Sequence, residues 1–164
     1  MKRNFLIALS MFLCIGAFSL VLTACGDDEP SGGNTMKQVY SVKGTFKIQD
    51  GDFVGGYPGA ADPNGKEFKF YESIYNEVKE IIKEQTWEVT FKTSDKDQKI
   101  KEQNAVAEQR YSAMVKSLDA VQKKLDQTNK DTYKCHFSMT IELKAVGEKE
   151  ILSGQKTLKY QGNE

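Results

Sequence analysis

The sequence is short of the residues on which most site chemistry depends. His136 is the single histidine among 164 residues, so a metal centre or relay built on paired imidazoles is excluded. Three cysteines, Cys14, Cys25 and Cys135, are too few for the disulfide framework of a small stapled domain. Of three prolines, two fall in one loop dense in Gly, Pro and Asp. The charges balance, 23 basic against 23 acidic side chains, without the clustered basic field that a nucleic-acid partner requires. Beyond residue 24 there is no long apolar run. No nucleotide-binding motif appears either: the glycines of "GGYPG" lack the Lys-Ser/Thr that a phosphate loop needs. Nothing in the sequence calls for a cofactor.

What is present begins at the N-terminus. A basic start, Met1-Lys2-Arg3-Asn4, precedes twenty uncharged residues, "FLIALSMFLCIGAFSLVLTA", ending at Ala24. Twenty apolar residues can span a bilayer. The basic start, apolar middle and small residues before a cut site instead predict a secretory signal peptide over residues 1–24.

Leu22-Thr23-Ala24-Cys25 resembles the lipobox of bacterial lipoproteins. That resemblance implies cleavage before Cys25 by signal peptidase II and acylation of its sulfur and amine with fatty acyl chains such as palmitate. Cys14 follows Phe12-Leu13, too bulky for the same motif. A single acyl chain holds a protein to a membrane only reversibly, whereas the three chains of such lipoproteins would anchor it stably. Cleavage takes two of the 23 basic residues and none of the 23 acidic ones, for a mature charge of about −2. Gly26-Asp27-Asp28-Glu29 is similar to the acidic export signal of surface lipoproteins in the Bacteroidota, which implies outer-membrane attachment with the domain displayed on the cell surface; the competing account is a plain solvated tether on a periplasm-facing protein. The expected tether covers residues 25–36 and a single domain covers 37–164.

The domain alternates strand and helix periods. Tyr40, Val42, Phe46 and Ile48 oppose Ser41, Lys43, Thr45 and Lys47, a half-dry strand. "EFKFYESIYNEVKEIIKEQ" recurs at helical spacing through Ile74, Val78 and Ile82, and "TWEVTFK" alternates again. Ser94 with Asp97 marks a helix start. Ala107, Tyr111, Met114, Leu118, Val121 and Leu125 then step by four and three to a stop at Asn129. That stripe is too short for a sustained coiled coil and predicts packing on the protein's own sheet. "TYKCHFSMTIELKAVG" is the clearest strand, and "EILSGQKTLKY" is its hairpin partner across Gly147-Glu148-Lys149. The order β-α-β-α-β-β predicts an α+β two-layer sandwich: about four strands, antiparallel at least at the end, with two helices on one face. Strand order does not follow from the sequence.

Candidate sites are few. Cys135 and His136 are adjacent, but successive strand residues point to opposite faces, which separates thiol from imidazole and removes a catalytic dyad. Asp50-Gly51-Asp52 begins like a calcium loop, yet Val54 and Ala61 stand where ligands belong, and no metal is expected. Phe53 and Tyr57 in the 50–65 loop form a possible ligand loop, because long loops are often functional. The wet sheet face is the stronger lead. Lys43, Lys47, Lys92, His136 and Lys144 would make it mildly basic, against the alternative of an ordinary solvated face whose lysines discourage edge pairing. Two functions remain open: a non-catalytic, membrane-anchored envelope module binding a protein or glycan, or a small surface or periplasmic hydrolase.

Overall fold

Period-two alternation is strongest at the C-terminal end of the chain, and there it builds the centre of the sheet. In β3 (His136–Val146), Phe137, Met139, Ile141, Leu143 and Ala145 are buried while the residues between them face outward. The computed structural model describes residues 34–47 and 65–163. Gly33–Glu164 group into one compact unit. Readings that fall on Leu22–Cys25, on the acidic cluster after it, and on Phe53, Tyr57 and the loop acids lie outside the described residues.

The elements run β1 (Thr35–Phe46), α1 (Lys66–Ile81), β2 (Gln85–Lys92), a 3-10 turn (Thr93–Asp95), α2 (Lys96–Gln127), β3 and β4 (Glu150–Gln161). The strands form one antiparallel sheet in the order β2-β1-β3-β4. This is the expected α+β architecture of four strands and two helices. Every pairing is antiparallel, which extends the expectation made only for the end of the sheet.

β1 begins at Thr35, so the last two residues assigned to the tether are strand. Met36 sits opposite Phe91 and Thr35 opposite Lys92, and Asn34 accepts hydrogen bonds from both the backbone N–H and the hydroxyl of Thr93. The pairing with β2 orders these residues; one methionine between polar neighbours carries little alternation by itself.

Both helices lie on the dry face. α1 buries Ile74 and Val78, and Ile82 follows on the same stripe. α2 buries Ala107, Met114, Leu118, Val121 and Leu125, the stripe read from spacing, and at 32 residues it is roughly 48 Å long. Its start differs in detail. Ser94 belongs to the 3-10 turn and donates to Asp95, and the helix opens at Lys96 without a side-chain cap, Asp97 lying in its first turn. At the far end Lys130 Nζ donates to the Leu125 carbonyl and Thr128 Oγ1 to that of Lys124, satisfying acceptors the helix leaves open.

Aromatic contacts pin the layers at two places. Tyr40 stacks on Trp87 at 5.6 Å between centroids, Arg110 lies 4.2 Å over the Trp87 ring, and Trp87 Nε1 donates to Gln103. Elsewhere Phe70 stacks on Tyr133 at 4.1 Å and Phe46 on Tyr75 at 4.6 Å. Gly44 permits a close approach: its N–H donates to the Ile82 carbonyl, and a Cβ there would stand 2.8 Å from side-chain atoms of both Ile82 and Leu143.

Candidate functional site

With both helices on one side, no element among the described residues covers the other face of the sheet. On β1 that face carries Lys37 and Val39, beside Thr90 and Glu88 of β2, and Ser41, Lys43 and Thr45, of which Lys43 and Thr45 face Lys144 and Glu142 of β3; Thr140, Ser138 and His136 continue it along β3. Thr86, Glu88, Thr90 and Lys92 of β2 complete one margin, and Ser153, Gln155, Thr157 and Lys159 of β4 the other. The alternation therefore placed Lys43, Lys92, His136 and Lys144 on the face they occupy. Lys47 follows the end of β1, its N–H bonded to the Thr140 carbonyl, and its amine reaches the same face. Phe53 and Tyr57 cannot be related to it.

Electrostatically the face is quieter than its lysines suggest. Lys43 and Lys144 are direct cross-strand partners, an unfavourable placement of like charges. Each has its own carboxylate, Lys43 with Glu84 at 3.5 Å and Lys144 with Glu150 at 3.8 Å. Lys47 pairs with Glu142 at 3.3 Å and Lys37 with Glu88 at 3.0 Å. Exposed pairs like these contribute about 0–1 kcal/mol each, but together they cancel most of the positive field. Glu84 and Glu150 come from the ends of neighbouring segments, so their approach was not visible in strand alternation. Lys37 was missed because it stands ahead of the alternation, from Tyr40 onward, by which the strand was read.

What the face offers is hydrogen bonding. Thr140 and Thr157 hydroxyls lie 3.3 Å apart, and Ser153 Oγ donates to Glu150. Val39, 55% exposed, adds an apolar spot beside Glu88. Such a surface suits a broad polar contact better than a small charged ligand.

Cys135 and His136 part as expected. Cys135 is fully buried in the core cluster beneath the sheet, while His136 begins β3 opposite Gln161 on the open side. Tyr133–Cys135 precede β3 instead of belonging to it; the pairing ends at His136, and the Cys135 carbonyl is taken by the Gly162 N–H. Burial, aided by the Glu67 charge, pushes the Cys135 thiol up to about 11, so almost no thiolate exists near neutrality. Native protein should leave Cys135 unlabelled by a thiol reagent and react there only after denaturation. Cys135→Ser should cost about 1–3 kcal/mol through an ill-satisfied hydroxyl, measured by chemical denaturation; rapid native labelling would contradict the face assignment.

Among the described residues, no group of three or more His, Cys, Asp and Glu side chains could hold a metal ion, and no helix is long and apolar enough to cross a membrane. No protein-family model, curated protein or solved structure matches the chain.

Proposed function

We propose that this protein is an envelope lipoprotein, anchored in the outer membrane through acylated Cys25 and displayed on the cell surface, whose domain binds a protein or glycan partner without catalysis. The anchor is supported by Leu22-Thr23-Ala24-Cys25 behind a basic and apolar leader. β1 opens at Thr35, which leaves residues 26–34 to link domain and membrane, a reach of roughly 30 Å when extended. The observation that carries the binding reading is the one-sided sheet: among the described residues two helices cover one face, and nothing covers the broad polar face rich in hydroxyls.

A photo-reactive residue at Thr45 or Thr140, on the open face, should cross-link a partner in intact cells. The same residue at Ala113, exposed on α2, should not. Equal cross-linking from both positions, or none from the face, would remove the sheet from the interaction. Replacing Asp27, Asp28 and Glu29 together by Ala should leave the anchor intact but move the protein out of reach of protease added to whole cells.

A further inference from the structure

A sheet of four strands has two edges, and one of them is prepared unevenly. At β4 the Gln122 side chain of α2 takes both main-chain groups of Lys159: its Oε1 accepts the Lys159 N–H at 2.8 Å and its Nε2 donates to the Lys159 carbonyl at 3.0 Å. Those groups therefore point away from β3. By the two-residue period of a strand, the N–H and C=O of Ser153, Gln155 and Thr157 point the same way. The register with β3 is regular over these residues, its irregularity lying between Ala145 and Val146. Ser153, Gln155 and Thr157 are exposed, and no backbone partner among the described residues meets them on this side.

We infer that the stretch Ser153–Thr157 is a self-pairing edge, joining a second copy of the chain antiparallel about a two-fold axis at Gln155. In that register Gln155 faces Gln155 of the second copy, and Ser153 faces Thr157 in both directions. These three pairs each exchange two hydrogen bonds. The side chains brought opposite one another are neutral and polar. Lys156 falls opposite Gly154, with its amine already drawn to Asp119 of α2, and Lys159 falls opposite Ile151, so no lysine meets a lysine. The amide of Gln122 occupies Lys159 in each copy and ends the ladder symmetrically at both sides. A ladder running on through Lys159 would have to displace that amide. An axis one residue along, at Lys156, would set that lysine directly against its own copy, an unfavourable placement that the axis at Gln155 avoids. The pairing uses the outward main-chain groups of β4, while the side chains of the same residues form one margin of the open face.

Proline at Gln155 supplies the structural test. Its missing N–H is one that points outward, so the fold loses no internal hydrogen bond, the situation in which edge strands tolerate proline. The full chain purified in detergent, with Cys14 and Cys25 replaced by Ser, should sediment as a dimer at high concentration. The same chain carrying Gln155→Pro should sediment as a monomer with an unchanged circular dichroism spectrum. Gln155→Cys should form a disulfide-linked dimer under mild oxidation, because directly paired Cα atoms stand about 5.5 Å apart, whereas Thr90→Cys on β2 should not. A monomeric parent chain, equal dimer in the proline variant, or equal cross-linking from Gln155 and Thr90 would each overturn the inference. A parent chain that stays monomeric but binds an added extended peptide at β4 would assign the edge to a heterologous partner instead.

Discussion

Cys25→Ala should abolish lipidation of the protein. The thioether to diacylglycerol needs that sulfur, and in the lipobox reading cleavage follows lipidation, so the variant should retain its leader and incorporate no labelled fatty acid. The expected loss is complete, because no second thiol can substitute. Cys14 lies inside the apolar run behind Phe12-Leu13, and Cys135 is buried in the core of the domain. The domain itself should be unaffected, since the hydrogen bonds and packing of β1 begin at residue 34 and beyond. Label in the protein recovered from cells grown on a labelled fatty acid checks the first point, and an unchanged circular dichroism spectrum the second. Continued labelling of the variant would mean that another residue carries the lipid.

Leu118→Ala should produce the largest loss of stability among single core truncations on α2. Leu118 lies in the C-terminal half of that helix, fully buried between Met114 and Val121 and facing the sheet. Truncation removes its transfer free energy and leaves a cavity whose walls are fixed by β3 and β4, at a cost of about 2–5 kcal/mol. Domains of this kind are stable by only about 5–15 kcal/mol, so the midpoint of thermal unfolding should fall by on the order of 10 °C. Lys116→Ala, two residues away and exposed, should stay within about 0.5 kcal/mol of the parent. Urea denaturation of the pair distinguishes the effects. A Leu118 variant as stable as the Lys116 variant would show that the stripe does not pack as described.

The contrast between these residues shows why so much of the fold was legible. Leu118 and Lys116 are separated by helical period alone, and Phe137 and Ser138 by strand period alone, so side and burial follow from spacing. Both helices, all four strands and their dry faces could be read that way. What escaped depended on neighbours remote in sequence. Thr35 and Met36 became strand because Lys92 and Phe91 lie opposite them. The order β2-β1-β3-β4 is a matter of which edges meet, on which alternation is silent. The candidate face was legible as a list of residues but misjudged in charge, because Glu84 reaches Lys43 from ahead of β2, and Glu150, the first residue of β4, reaches Lys144 from beside the irregularity where the register shifts. Gln122 offered no signal at all: a glutamine on a helix surface is unremarkable until Lys159 of β4 is placed beside it.

The central claim is that the mature protein starts at Cys25 and carries its membrane anchor there. The intact mass of the protein extracted from membranes tests it most directly. The account predicts the mass of residues 25–164 plus a diacylglyceryl group and an amide-linked acyl chain, with all of the added mass on the N-terminal peptide. A mass corresponding to residues 1–164 without addition, or an unmodified Cys25 in a cleaved chain, would contradict it.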